Sequence, residues 1–259
     1  MNFLPLWLSA GLLILSLMTL LWLVSLVLKD SSIVDSFWGT GFVIVFWTTA
    51  FLTPEPLTLR LVLLGTVVTV CGLRLSLYIF FRNKGKGEDF RYAAWRAEAG
   101  SSWWWRSFFK VFFLQGVLMW IIAIPLIAAQ IGDTTGPLKC LDYTGAALWL
   151  VGIIFEAGGD WQLARFKAEP ANKGKLLTSG LWSLTRHPNY FGDAAQWWGF
   201  WLIAASAGAT WTIFSPVLMT FLLMQVSGVT MLEKTLKDTK PGYTDYIART
   251  SAFFPWLPK

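Results

Sequence analysis

Long apolar runs alternate with polar links along this chain. The runs cover roughly residues 3–28, 36–53, 59–81, 108–130, 140–160, 191–208 and 211–231. Each is near the roughly 20 residues that a helix needs to cross the hydrocarbon core of a bilayer. Backbone polar groups find no water there, so they must be satisfied within the segment itself. The pattern predicts an all-α integral membrane bundle of about seven transmembrane helices. The sixth and seventh are joined by a short Ala/Gly-rich turn around Gly208. The first run is too long for a signal-peptide core and reads as a retained helix.

The polar links are unequal, and this gives a direction to the bundle. One set comprises Lys29 to Asp35, Arg82 to Lys110, Trp161 to Arg186 and the tail from Glu233; the other holds the links near Arg60 and Lys139. Of the twenty-one Lys and Arg, eighteen fall in the first set, two in the second, and Arg74 lies inside the third run. The two sets alternate, as an odd number of crossings requires. The positive-inside rule places the basic set and the C-terminus in the cytoplasm and the N-terminus outside. The long cytoplasmic links 82–107 and 161–190 are where a membrane enzyme would hold a charged ligand. The expected location is the bacterial inner membrane or its equivalent, with the active face cytoplasmic.

Composition sharpens the picture. Of 259 residues, 55% are hydrophobic and 14% charged, and seventeen are Trp; mean hydropathy is +0.54. Abundant Trp fits interfacial belts or the lining of a lipophilic pocket. The net charge of +6 follows from topology, and no nucleic-acid partner is expected. Cys71 and Cys140 are too few for a disulfide framework or a Cys-based metal site and read as buried free thiols. A single histidine, His187, rules out a multi-His metal centre, and no metal is expected.

The densest chemistry lies in Gly180-Leu-Trp-Ser-Leu-Thr-Arg186-His187-Pro188-Asn189-Tyr190-Phe191-Gly192-Asp193. A cation, an imidazole, an amide, a phenol and a carboxylate fall within eight residues at a helix start. Pro188 suits the first helical turn, where its missing N–H is not needed. Asn189 and Asp193 then share a face at i,i+4. A carboxylate at membrane depth is costly and marks a functional candidate. The bland reading is a helix cap with an interfacial Arg-His pair; the density of donors and acceptors favours a ligand site.

These residues resemble the signature of the steroid 5-alpha-reductase-like membrane reductases and of the sterol carbon–carbon double-bond reductases. A looser Arg-His-Pro form occurs in isoprenylcysteine carboxyl methyltransferases and related phospholipid methyltransferases. The tail Pro241-Gly-Tyr243-Thr-Asp245-Tyr246, then Phe253-Phe-Pro255-Trp256, is similar to that of the same superfamily. Gly85-Lys-Gly-Glu88-Asp89-Phe-Arg91-Tyr92 looks like a bacterial subgroup with a reductase-type C-terminal domain. The resemblance covers roughly residues 70–259. It implies one membrane domain over 1–259, with substrate-side helices in 1–81 and cofactor-binding loops and reductase-type helices in 82–259. It further implies NADPH as cofactor. Asn189 and Asp193 match positions near the nicotinamide, and Asp160 and Lys167 match an acidic residue and a basic cofactor-loop residue. Arg186, His187 and Tyr190 match the signature itself, Tyr246 the tail, and Asn83 and Lys86 a loop contacting the phosphates. Arg/Lys clusters with aromatic partners suit a dinucleotide carrying a 2′-phosphate. No Gly-x-Gly-x-x-Gly fingerprint is present, so a soluble Rossmann domain is not expected.

The substrate-side half departs from that family. Steroid 5-alpha-reductases use an early Gln-Glu pair and a Tyr to polarise an enone carbonyl, and this chain has no Gln-Glu pair between its first helices. It has Asp30-Ser-Ser-Ile-Val-Asp35-Ser-Phe-Trp38-Gly39 instead. A protonated Asp35, its pKa raised by burial, would donate to a carbonyl oxygen; equally, Asp35 would cap the second helix. Tyr78, one turn from both Arg74 and Arg82, is a second proton-donor candidate, or an interfacial aromatic. Arg74 needs a partner in the membrane, with Asp35 or Glu156 as candidates. Three functions follow. The favoured one is NADPH-dependent reduction of a carbon–carbon double bond in a lipophilic, sterol-like enone drawn from the bilayer. The alternative is an S-adenosylmethionine-dependent methyltransferase of a lipid or prenylated thiol, using a tail carboxylate such as Glu233. A transporter would show helix breaks at the midplane and inverted halves, and neither is visible.

Overall fold

In a computed structural model, residues 2–54, 56–132, 135–226 and 228–258 are described, apart from the side chains of Met231, Lys234 and Thr235. The described residues form helices and no strand: the protein is an all-α, multi-pass membrane protein. Helix α1 spans Phe3–Leu28, α2 Ile33–Leu52 and α3 Leu59–Asn83; α4 is the helical run Phe90–Ile131, and α5 spans Cys140–Ala168. These five are long and apolar enough to cross a bilayer. Helix α6, Pro188–Ser206, has 19 residues, and α7, Thr210–Val226, is shorter. Two short helices close the chain, α8 at Val229–Thr239 and α9 at Tyr243–Arg249.

All seven apolar runs are helical, but three boundaries differ from the expected ones. Helix α4 begins at Phe90 rather than near 108, because Asp89 accepts the Arg91 backbone N–H at 3.1 Å. The following Tyr-Ala-Ala-Trp-Arg-Ala-Glu-Ala is made mostly of good helix formers; its charges hid the helix in a hydropathy reading. Within α4 lies a six-residue π segment, Phe108–Phe113. Helix α2 begins at Ile33, so Asp35 sits inside its first turn and Ser32 takes the cap position. The last apolar run is broken, α7 ending at Val226 and α8 starting at Val229. Gly228 marks the break: a Cβ there would overlap the Leu223 carbonyl. Cys71 is half-buried and Cys140, the first residue of α5, is exposed, so the expectation of two buried thiols fails at Cys140.

The chain forms two compact units, one of Met1–Leu138 with Ala204–Thr212, the other of Lys139–Ile203 with Ile213–Lys259. Lipid is as apolar as leucine, so helices in a membrane associate through close packing and polar bonds. Both units use glycine for this. In the first unit, Leu6, Ala10, Ile14 and Met18 form the buried stripe of α1 at i,i+4 spacing, while Leu4, Leu8 and Leu12 face outward. Gly39 of α2 and Gly72 of α3 meet backbone to backbone; a Cβ on Gly72 would come 2.6 Å from the Gly39 carbonyl oxygen.

In the second unit the contact is repeated every seven residues. Gly145, Gly152 and Gly159 lie on one stripe of α5, Gly192 and Gly199 on one stripe of α6. A Cβ on Gly145 would come 2.7 Å from the Gly199 oxygen, one on Gly152 2.6 Å from the Gly192 oxygen, and one on Gly159 3.0 Å from Pro188 Cγ. A period of seven keeps one seam in register along two helices. Gly152→Leu is therefore expected to lower stability by about 1–3 kcal/mol through overpacking. Thermal unfolding in detergent reads this directly; an unchanged midpoint would show that the seam is looser than described.

Candidate functional site

Each unit holds a polar cluster. That of the first unit is built on the links before α2 and α4. The Ser31 backbone N–H donates to Glu88 Oε1 at 2.7 Å, and Arg96 grips the same carboxylate through Nε and Nη2, both at 2.8 Å. Trp103 Nε1 donates to Ser31 Oγ at 3.3 Å. Burial pushes the Glu88 carboxyl up, but the Arg96 and Ser31 donors outweigh it and hold the group below its ordinary range.

Asp35 is the centre of the network. Its Oδ1 accepts the Tyr92 hydroxyl at 2.6 Å and its Oδ2 accepts Arg91 Nη2 at 2.8 Å. Arg91 Nε also donates to Asp89 at 2.9 Å. Behind Tyr92, Gln115 Nε2 donates to the phenol oxygen at 3.3 Å, and Trp38 Nε1 donates to Gln115 Oε1. Donors thus run in one direction, from Trp38 through Gln115 and Tyr92 to Asp35. The carboxylate does not cap α2; it acts as an acceptor for a guanidinium and a phenol. The hydroxyl donor to Asp35 is Tyr92, which the sequence names only as part of a motif. No local pattern flags Tyr92 or Gln115, because Tyr92 meets Asp35 from 57 residues away in sequence and Gln115 meets Tyr92 from 23.

Tyr78 has a different setting. Its ring lies between Arg74 and Arg82, whose guanidinium carbons are 5.8 and 5.6 Å from its centroid. Asn83 ends α3 and accepts Arg82 Nε at 3.2 Å; Lys86 is exposed in the turn between Gly85 and Gly87, both at positive φ.

The cluster of the second unit is built on the Arg-His-Pro-Asn segment. Helix α6 begins at Pro188. Just before it, Arg186 is only 6% exposed and donates to Glu233 Oε1 through Nε at 2.8 Å and Nη2 at 2.6 Å. Its Nη1 donates to the Thr250 carbonyl and, at 3.4 Å, to the Ile247 carbonyl. One guanidinium thus ties the start of α6 to α8 and to the end of α9. His187 Nε2 stands 3.3 Å from the same Glu233 oxygen, and its ring stacks on Tyr190 with centroids 5.7 Å apart. Burial pushes Glu233 up, but the His187 and Arg186 donors leave it below the usual carboxylate range.

The tail closes on this segment. The Arg186 N–H donates to the Ser251 carbonyl at 2.9 Å and the Trp256 N–H to the Leu184 carbonyl at 2.9 Å. The Tyr246 hydroxyl donates to the Trp182 carbonyl. Tyr243, only 2% exposed, has no hydrogen-bond partner for its hydroxyl among the described residues. Burial and the Glu233 charge push that phenol up to about 12, so it is neutral at ordinary pH. An open cavity of about 470 Å³ is lined here by Arg186, Arg249, Thr250, Ser251, Phe254 and Trp256, among others.

The structure brings Asp160 and Asn189 together, Asn189 Nδ2 donating to Asp160 Oδ1 at 3.2 Å. One turn along the glycine seam, Gln196 Nε2 donates to the buried Glu156 at 2.6 Å. Asp193 is half-buried on α6, in the turn between Asn189 and Gln196, and Lys167 is exposed near the end of α5. The sequence reading offered Glu233 only to the methyltransferase alternative. Its role as the shared acceptor of Arg186 and His187 depends on the break at Gly228, which a hydropathy reading runs through.

A profile of the DUF1295 family, described as a protein of unknown function, matches residues 21–250. An uncharacterized protein of Schizosaccharomyces pombe is 25% identical over 92% of this chain and 76% of its own. The 3-oxo-5-alpha-steroid 4-dehydrogenase 1 of Mus musculus is 32% identical over 31% of this chain and 29% of its own. The probable O-methyltransferase ustE of Ustilaginoidea virens is 43% identical over 25% of this chain and 22% of its own. The matched segments thus span under a third of the latter two proteins. No solved structure matches. A match over most of the chain settles the family: the protein belongs to the DUF1295 family.

Proposed function

We propose that the protein is an NADPH-dependent membrane reductase of a carbon–carbon double bond in a lipophilic, steroid- or sterol-like enone taken from the bilayer. Its active face is the cytoplasmic one. The observation that carries the reading is the buried Arg186 and His187 at the start of α6 sharing the half-buried Glu233, in a chain with a segment similar to a steroid dehydrogenase. The donor set of the second unit fits a phosphorylated dinucleotide. Lys167 and Arg165 are exposed at the end of α5, Asn189 and Asp193 stand on the first turns of α6, and the buried Tyr243 hydroxyl has no partner among the described residues. In this proposal Lys167 binds phosphate. Asn189, Asp193 and Asp160 orient the nicotinamide end. Arg186, His187, Tyr190 and Tyr246 hold the segment that carries them.

Bound NADPH would supply a hydride; the chain's own residues must supply the proton. That role falls to the Asp35–Tyr92 pair. The substrate carbonyl would replace Asp35 as acceptor of the Tyr92 hydroxyl, so that the phenol would polarise the carbonyl and supply its proton. The phenolate left behind keeps the Gln115 donor, and the Arg91 guanidinium lies 5.4 Å from its ring. Asp35 positions both groups. Tyr78, between two guanidinium groups, is the other proton-donor candidate.

The segment similar to an O-methyltransferase supports a second reading, in which the same Arg-His-Glu cluster serves an S-adenosylmethionine-dependent transfer. Thermal shift of the detergent-purified protein separates the two, since a ligand bound only to the folded state raises its stability. At a hundredfold excess over Kd the gain is about 2.7 kcal/mol. Stabilisation by NADPH, lost in Asp193→Ala and Lys167→Ala, is expected. Stabilisation by S-adenosylmethionine alone would overturn the reductase.

A further inference from the structure

We propose that the start of the transmembrane part of α4 is a docking site for an anionic phospholipid. The argument begins with which cations of the first unit are paired. Glu88 is taken by Arg96, and Asp35 and Asp89 by Arg91. Arg106 and Lys110 of α4 are different. Both are exposed, and among the described residues neither has a carboxylate partner. Each lies instead over a tryptophan: Arg106 is 5.5 Å from the Trp105 ring centroid, and Lys110 Nζ is 4.4 Å from that of Trp95.

A cation held on an aromatic face keeps its charge uncompensated and loses little rotamer freedom when it meets an anion. Lys110 also lies in the π segment Phe108–Phe113, a feature frequent at functional sites. The surroundings identify the anion's carrier. Trp104, two residues before Arg106, is 59% exposed, and Phe109, next to Lys110, is 57% exposed. Trp22 of α1 ties the belt in place, donating to the Trp104 carbonyl at 2.8 Å. Two unpaired cations flanked by outward aromatic rings, where an apolar helix begins, match a phosphate diester with acyl chains attached. A free phosphate or a soluble nucleotide would use the cations and leave the apolar flank uncovered. The site does not depend on the reaction proposed above.

The test is native mass spectrometry of the full chain released from nanodiscs of mixed phosphatidylglycerol and phosphatidylcholine. Each basic residue near an anionic surface contributes about a fivefold preference, so the pair gives roughly 30-fold. The wild type is expected to retain phosphatidylglycerol over phosphatidylcholine by that order. Arg106→Gln/Lys110→Gln is expected to lose the selectivity, and Arg106→Lys/Lys110→Arg to keep it. All three should melt alike in pure phosphatidylcholine, which separates lipid binding from folding; if the Gln variant melts low, the comparison of wild type with the charge-conserving variant decides. Equal retention of both lipids by the wild type overturns the proposal. So does selectivity that survives in the Gln variant, or equal stabilisation by glycerol phosphate without acyl chains.

Discussion

Glu233→Ala is expected to destabilise the protein by about 3–5 kcal/mol, the range for removing one partner of a buried ion pair. The reason is Arg186. Its side chain is only 6% exposed and spends Nε and Nη2 on Glu233 and Nη1 on the Ile247 and Thr250 carbonyls. Without Glu233 it becomes a buried cation with carbonyl partners only, and His187 loses the same acceptor. Arg186→Ala costs about as much, from a Glu233 left without its cation. The double variant should cost less than the sum, because the two positions share one interaction. Thermal unfolding of the four proteins completes the cycle; additive losses would show that the pair is not coupled.

The same pair gives a pH dependence with a definite sign. The folded-state pKa of Glu233 lies below its ordinary 4.5. Its contribution to stability is therefore fully present above about pH 4.5 and is lost as the pH falls through the lower folded value. Glu233→Gln should flatten that acid limb while leaving stability near pH 7 reduced.

Tyr92→Phe is expected to lower kcat by about 10²–10⁴-fold, the range for loss of a positioned general acid, if the reductase reading holds. The phenol is the hydroxyl between the Gln115 donor and the Asp35 acceptor. Removing it keeps the ring and the Arg91–Asp35 pair at 2.8 Å. The stability cost should stay near 1–2 kcal/mol, a lost hydrogen bond with partly unsatisfied partners. Asp35→Asn should lower kcat less, because it disturbs Tyr92 and Arg91 without removing the proton. Tyr78→Phe is the control, since that ring packs between Arg74 and Arg82. Single-turnover NADPH oxidation with a 3-oxo-4-ene steroid measures all three. A large loss in Tyr78→Phe with none in Tyr92→Phe would move the proton donor to α3.

Membrane class and helical content were legible in the sequence because both depend on local quantities. Hydropathy over about twenty residues decides whether a segment enters lipid, and lipid then dictates a helix. The start of α6 at Pro188 was legible for a similar reason, since the proline ring presets the first turn. Glycine placement at positions 145, 152 and 159 was visible as letters, but its meaning appears only when α6 supplies Gly192 and Gly199 opposite. What the tertiary structure alone decided is which polar group meets which. Asp35, which the sequence offers equally as a protonated donor or a cap, is an acceptor here because Arg91 and Tyr92 reach it from α4. Arg186 and His187 acquired a shared carboxylate because the chain breaks at Gly228 and returns Glu233 to them. A hydrogen bond between residues 47 or 57 positions apart leaves no periodicity behind; it exists only once packing has chosen the neighbours.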